Sequence, residues 1–177
     1  MSVEKIYIET PCFIDAIKYT LKLASHLSQD LQNYIWHIQQ ILKASEAKDI
    51  QVITSTLTIA ECRRAYQDKP PTSEVKRIIN SVLTSGKIIT LTQVTQGIAE
   101  RARDLEWIDG INLKGADAIH VASALMTGCK EFFTSDQQGS RSPLKNAGKI
   151  SKLGLRVINP VSTQLLPTDY RQENLYE

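Results

Sequence analysis

Short apolar runs alternate along the chain with longer amphipathic segments. The apolar runs are rich in β-branched and aromatic residues and end at polar or turn-forming residues, which is typical of strands. We therefore predict five strands, at residues 5–8, 50–54, 87–91, 131–134 and 155–158. Between them, apolar residues recur at three- and four-residue spacing, which predicts helices. Strands that alternate with helices indicate an α/β fold with a parallel sheet that is covered on both faces.

The clearest helical pattern lies in residues 113–125, where small and apolar residues follow one another with few interruptions. Asp117 falls in the first turn of this predicted helix, at the edge of its apolar face. A carboxylate in this position can simply interact with the positive end of the helix dipole. It can also belong to a site, because buried carboxylates are rare unless they are paired or bound to a cation.

Three more acidic residues are predicted close to the same edge of the sheet. Glu9 follows the first predicted strand and Asp136 follows the fourth, and the carboxyl ends of parallel strands share one edge. Glu61 lies one or two turns into the helix after the second strand. Converging carboxylates are stable mainly around a cation, and oxygen-only ligands favour Mg²⁺ or Mn²⁺. The pattern therefore predicts a site for metal-assisted hydrolysis of a phosphodiester.

Each of these acidic residues also has a simpler interpretation. Thr58 and Glu61 have the Thr-x-x-Glu spacing of a helix capping box. Glu9 could face solvent at the end of its strand, and Asp136 could be a turn residue or a helix cap. His120, one turn after Asp117, is expected to be a partly buried structural histidine and not a ligand.

Length and charge restrict the functional classes further. The chain has 177 residues, which predicts a single domain, assigned here to residues 1–162, followed by a poorly ordered polar tail at 163–177. The net charge is only +2, so any nucleic acid must bind to a local basic patch. The polar segment 137–152 reads as a loop with one helical turn, and its Arg141 and Lys145 are candidates for that patch.

The cysteines and the hydropathy indicate the compartment. Cys12, Cys62 and Cys129 cannot all pair and form no C-x-x-C motif, which favours a reducing cytoplasm and argues against a zinc site. Neither a secretory leader nor a membrane-spanning segment is expected, because the chain has no basic-then-apolar start and no long apolar run.

Several motifs together resemble the PIN-domain family, in particular the ribonuclease toxins of VapBC-type toxin–antitoxin pairs. The motif that resembles the family most closely is Gly-Ala-Asp-Ala-Ile-His-Val-Ala-Ser-Ala at 115–124. The others are Ile-Tyr-Ile-Glu-Thr at 6–10, Leu-Thr-Ile-Ala-Glu at 57–61, Phe-Thr-Ser-Asp at 133–136 and Gly-Leu-Arg-Val-Ile-Asn-Pro at 154–160. The resemblance implies a three-layer α/β/α sandwich around a mainly parallel sheet of about five strands.

The resemblance also implies a function, which is a cytoplasmic Mg²⁺- or Mn²⁺-dependent endoribonuclease. Its partners would be RNA, an antitoxin protein and a second copy of the chain, with no membrane. The implied catalytic residues are Glu9, Glu61, Asp117 and Asp136, of which Glu9, Asp117 and Asp136 would bind the metal. The implied substrate-positioning residues are Thr134, Ser135, Arg141 and Lys145.

Two positions depart from the family pattern. The family usually has Asp where this chain has Glu9, and many members have a second acidic residue where this chain has Gln138. These departures leave a second interpretation open, in which the chain is a catalytically weak or inactive PIN-like module that binds RNA or a protein partner.

Overall fold

A parallel sheet forms the centre of the molecule. The computed structural model describes residues 3–20, 28–65, 72–135 and 139–171, and within these ranges the sheet has five strands in the order β3-β2-β1-β4-β5. The strands are β1 (Glu4–Ile8), β2 (Ile50–Ser55), β3 (Ile89–Thr92), β4 (Glu131–Phe133) and β5 (Arg156–Ile158). Every neighbouring pair is parallel. The predicted fold class is therefore confirmed.

Helices connect the strands and cover the sheet. They are α1 (Thr10–Thr20), α2 (Gln29–Glu46), α3 (Leu57–Glu61), α4 (Ser73–Ile79), α5 (Gln96–Trp107), α6 (Gly115–Met126) and α7 (Ala147–Ser151). A π-helical turn, Asn80–Thr84, extends α4. The hydroxyls of Ser28, Thr72 and Thr95 accept hydrogen bonds from backbone N–H groups in the first turns of α2, α4 and α5, which is why these helices begin where they do.

Two hydrophobic cores lie on opposite faces of the sheet. Ile6 and Ile8 point from β1 into the core formed with α1 and α2, whereas Tyr7 points into the core formed with α5 and α6. The Tyr7 ring stacks on Phe132 of the neighbouring strand, with centroids 5.3 Å apart. Alternate residues of a strand face opposite sides, so apolar residues at consecutive positions place β1 in the middle of three layers.

The segments after β4 differ from the sequence-based expectation. The predicted loop at 137–152 contains α7 and a short 3₁₀ helix, Leu144–Asn146. The predicted polar tail is packed on the domain as far as it is described. Leu166 is 1% exposed in the α1/α2 core, and Tyr170 donates a hydrogen bond to Asp49. Residues 172–177 lie outside the described ranges, and the domain boundary at 162 stays a prediction.

Candidate active site

The carboxyl edge of the sheet brings together the first residues after β1 and β4. Ile8 pairs with Phe133, and the Glu9 N–H donates to the Phe133 carbonyl at 3.0 Å. The predicted shared edge of these strands is therefore correct. Glu9 is only 4% exposed, so its carboxylate is buried at this edge. Asp136, the predicted acid after β4, lies outside the described residues.

Glu61 is attached to the segments that carry the other acidic residues. It is the last residue of α3, and its Oε2 accepts a hydrogen bond of 2.6 Å from the Thr10 hydroxyl. The same oxygen lies 2.9 Å from Nε2 of His120. Thr10 directly follows Glu9, and His120 is one helical turn after Asp117. The Glu61 carboxylate therefore lies between the start of α1 and the first turns of α6.

The capping-box interpretation of Glu61 is wrong. The residue that precedes α3 is Thr56, and its side chain makes no capping hydrogen bond. The Thr58 hydroxyl instead lies 2.7 Å from the Thr54 hydroxyl and 3.3 Å from that of Thr10. Thr58 thus belongs to a chain of buried hydroxyls under Glu61, and the Thr-x-x-Glu spacing here serves a tertiary contact between β2, α3 and α1.

Asp117 occupies the first turn of α6, as predicted. The residue is 8% exposed, and the residue before the helix, Lys114, makes no side-chain cap. The carboxylate therefore lies where the helix dipole favours a negative charge. The same position is close to Glu61, because His120 of this helix contacts Glu61 directly. The position of Asp117 is therefore compatible with both interpretations, a helix-dipole charge and a site residue.

His120 is a buried histidine with a partner on each ring nitrogen, consistent with the structural role expected for it. Its Nδ1 lies 2.8 Å from the Tyr7 hydroxyl, and the residue is 1% exposed. The Tyr7 oxygen in turn accepts the Ser55 N–H at 3.0 Å. Burial raises the pKa of Tyr7 well above its usual value, so the hydroxyl keeps its proton. Sequence reasoning missed Tyr7, whose signal is a polar hydroxyl between Ile6 and Ile8 in the apolar part of β1.

The polar side chains that follow β4 differ in exposure. Thr134 is completely buried, whereas Ser135 is half-buried and donates to Oδ2 of Asp15 at 3.4 Å. The Tyr34 hydroxyl donates to the same oxygen at 3.2 Å. Asp15 is an acidic residue that the sequence analysis overlooked. Asp15 could have been identified from the sequence as the only charged residue in the apolar stretch 12–17 of α1.

The predicted basic residues lie near the start of α6. Arg141 and Lys145 are both exposed. The Arg141 carbonyl accepts the Lys114 N–H at 3.3 Å, and the Asn146 side chain donates to the Asn112 carbonyl at 3.2 Å. These contacts attach the basic segment to the turn that leads into α6, so its positive charge borders the helix end that carries Asp117.

The donor chemistry suits a divalent metal. Glu9 and Asp117 are buried carboxylates, and burying a carboxylate is costly unless positive charge or hydrogen-bond donors compensate it. Oxygen donors fit Mg²⁺ or Mn²⁺. Among the described residues, however, no three His, Cys, Asp or Glu side chains form a group that could hold an ion.

Comparisons with known proteins agree with the fold. The family model described as PIN domain matches residues 32–142, a range that includes Glu61, Asp117 and Asp136 and begins after Glu9. The crystal structure of FitAcB from Neisseria gonorrhoeae is similar, with a TM-score of 0.51 and 16% identity over 89% of this chain and 99% of that chain. A search of curated proteins finds no match.

Proposed function

Because the chain belongs to the PIN-domain family, we propose that it is a metal-dependent endoribonuclease whose site lies at the carboxyl edge of the sheet. The observation that supports this proposal best is the position of Glu61. Its carboxylate contacts the residue after Glu9 and the histidine one turn after Asp117. Three acidic residues, each from a different part of the chain, are thereby brought to one region, and this arrangement suits phosphodiester hydrolysis.

In this proposal each residue has a defined role. Glu9, Asp117 and Asp136 hold Mg²⁺ or Mn²⁺, which supplies a water of lowered pKa and offsets charge on the phosphate. Glu61 completes the acidic cluster and accepts hydrogen bonds at its rim. Ser135 is better suited than the fully buried Thr134 to contact a phosphate. Arg141 and Lys145 are exposed and can interact with the RNA backbone.

The proposal extends to partners and compartment. The resemblance to VapBC-type toxins favours a cytoplasmic toxin that is held by an antitoxin protein and forms a homodimer. Within the described ranges, none of the helices combines the length and apolarity needed to cross a membrane.

The test combines RNA cleavage with thermal melting. The protein is incubated with single-stranded RNA in Mn²⁺, Mg²⁺ or chelator, and its melting temperature is measured in the same solutions. We expect cleavage only with metal, together with a rise in melting temperature, since a ligand that binds only the folded state stabilises it by mass action. Asp136→Asn should lose both effects. The matched control, Asp169→Asn at an exposed position of the last 3₁₀ helix, should keep both.

A second candidate function is a non-catalytic module that binds RNA or a protein. It is favoured by Glu9, which replaces the shorter Asp, and by Gln138, where many family members have a second acidic residue. Under this alternative, metal changes neither the melting temperature nor the RNA, and RNA binding persists in chelator. That combination of results would replace the nuclease proposal.

A further inference from the structure

A continuous line of hydrogen bonds runs from the backbone of β2 to the carboxylate of Glu61. The Ser55 N–H donates to the Tyr7 oxygen at 3.0 Å, and this oxygen lies 2.8 Å from Nδ1 of His120. On the other side of the ring, Nε2 lies 2.9 Å from Oε2 of Glu61. His120 is 1% exposed and Tyr7 is 0% exposed, so water does not compete with these contacts.

The partners determine which atom donates in each of these hydrogen bonds. The Tyr7 oxygen already accepts a backbone N–H, so its own proton is available for the bare Nδ1 of His120. The neutral imidazole then carries its hydrogen on Nε2, where it donates to Glu61. The opposite tautomer would place a bare Nε2 against an ionised carboxylate, and two acceptors would face each other at 2.9 Å.

Glu61 Oε2 has a second donor in the Thr10 hydroxyl, at 2.6 Å. This hydroxyl also lies 3.3 Å from the Thr58 oxygen, but its single hydrogen favours the shorter contact with a charged acceptor. Two donors that approach one oxygen from α1 and α6 fix the orientation of the carboxylate and favour its ionised form.

We propose that Tyr7 and His120 are positioning residues, in that Tyr7 donates to Nδ1 and holds the ring of His120, whose Nε2–H thereby orients the ionised carboxylate of Glu61. This inference rests on the proposed nuclease function only for its effect on catalysis. The hydrogen-bond direction itself is a property of the folded protein. Partners of this kind, which orient a site residue without touching substrate, typically change activity by about 10- to 100-fold when removed.

The first test is nitrogen NMR of the metal-free protein labelled at histidine, at about pH 8, above the usual imidazole pKa of about 6.5. We expect a protonated Nε2 and a bare Nδ1 on His120. His37 provides an internal reference, because its Nδ1 lies 2.8 Å from the Asn33 carbonyl, an acceptor, and must carry a hydrogen. Single His→Gln variants at His26, His37 and His120 assign the signals. A hydrogen on Nδ1 of His120, with or without one on Nε2, overturns the proposal.

The second test uses variants and the kinetics of RNA cleavage. His120→Leu removes the donor to Glu61 and should lower kcat by about 10- to 100-fold with little change in KM. His120→Gln retains an amide N–H that can reach Glu61 and should recover part of the loss. Tyr7→Phe removes the hydrogen bond to Nδ1, which frees the ring on one side, and should also lower kcat. Tyr170→Phe, which removes the hydroxyl bonded to Asp49 far from this edge, is the matched control and should leave both constants unchanged.

These results separate the inference from the proposed function. If wild type cleaves RNA but His120→Leu and Tyr7→Phe, shown by melting to be folded, cleave equally well, the positioning role is wrong. If wild type does not cleave RNA, the nuclease proposal fails, and the NMR spectrum still decides the direction of the hydrogen bonds. A Tyr7→Phe spectrum that is identical to wild type at His120 also overturns the inference.

Discussion

At the scale of single residues, position 9 is where the chain departs from the family pattern. Glu9 is 4% exposed, so its longer side chain is packed in a confined space. Asp in this position would move the carboxylate back by about 1.5 Å, one carbon–carbon bond. We predict that Glu9→Asp keeps the fold and matches or raises metal-dependent RNA cleavage, measured as initial rate in Mn²⁺. Glu9→Gln, which keeps the length and removes the charge, is the control and should abolish cleavage.

A loss of native activity in Glu9→Asp would contradict this prediction. It would indicate that the backbone around β1 is adjusted to the longer side chain, and that Glu9 is a required residue and not a tolerated replacement.

Asp117 could be a structural charge or a metal ligand, and the two roles predict opposite effects of removing its charge. If it served only the helix dipole, Asp117→Asn would cost about 0.3–1 kcal/mol of stability. Among like charges without metal, the same change relieves repulsion, so we predict an unchanged or higher melting temperature in chelator. The stabilisation by Mn²⁺ should shrink at the same time. Melting curves of both proteins, in chelator and in excess metal, measure both effects.

The outcome that would contradict a ligand role is equally clear. If Asp117→Asn melts lower than wild type in chelator and responds to Mn²⁺ as wild type does, Asp117 is a helix N-terminal charge. Asparagine has nearly the same shape as aspartate, so a packing change does not explain such a result.

At the scale of elements, hydrophobic patterning was sufficient to predict the five strands and their parallel pairing. The middle strands contain consecutive buried residues, such as residues 6–8 in β1, because both faces of the sheet are covered, and such runs are easy to recognise. The site edge followed from the same reasoning, because it depends only on where strands end. Boundaries were less accurate. The third strand begins at Ile89, two residues later than predicted, since alternation does not mark where pairing with β2 starts.

Sequence patterns could not reveal contacts made by isolated residues. Leu166 lies beside Leu165 in an otherwise mostly polar segment, where no periodicity distinguishes the two, yet it is buried in the α1/α2 core. The Tyr7–His120–Glu61 line is equally invisible in the sequence, because its members are far apart in the chain and meet only in the folded state. Asp15 was overlooked for the same reason, since its partners come from α2 and from the residues after β4.

The packing of Leu166 predicts the behaviour of the segment after β5. Leu166→Ala should destabilise the protein by about 2–5 kcal/mol, the usual cost of removing a buried leucine side chain. Gln164→Ala is the control at an exposed neighbour, and its cost should stay within about 0.5 kcal/mol. Urea unfolding of both variants measures the difference. Equal stabilities would mean that this segment is a tail in solution.

At the scale of the whole molecule, the candidate site lies where the two covering layers meet. Thr10 begins α1 on one face of the sheet, and His120 belongs to α6 on the other, yet both contact Glu61 at the shared edge. The two hydrophobic cores therefore hold the site from opposite sides. A substitution that shifts either layer should change the site geometry, so stability and activity are expected to be linked in this protein.

The buried thiols predict how stability depends on pH. Cys12, Cys62 and Cys129 are free and buried, and burial raises the pKa of Cys62 and Cys129 to about 11 and that of Cys12 further. An unfolded thiol has a pKa of about 8.5. The folded state therefore keeps protons that the unfolded state loses, so the stabilisation is complete below about pH 8.5 and falls as pH rises toward 11.

We predict that the free energy of unfolding, measured with urea and reductant, decreases between about pH 8.5 and 10, a range in which unfolded tyrosines, with a pKa of about 10, also begin to ionise in both wild type and variant. Cys129→Ala removes one of the thiols from a site that is 4% exposed and should make the decrease shallower by close to one proton. The mutation also lowers stability at every pH, so the slope and not the absolute value is the measurement. Identical slopes for wild type and Cys129→Ala would show that this thiol ionises as readily in the folded protein as in the unfolded chain.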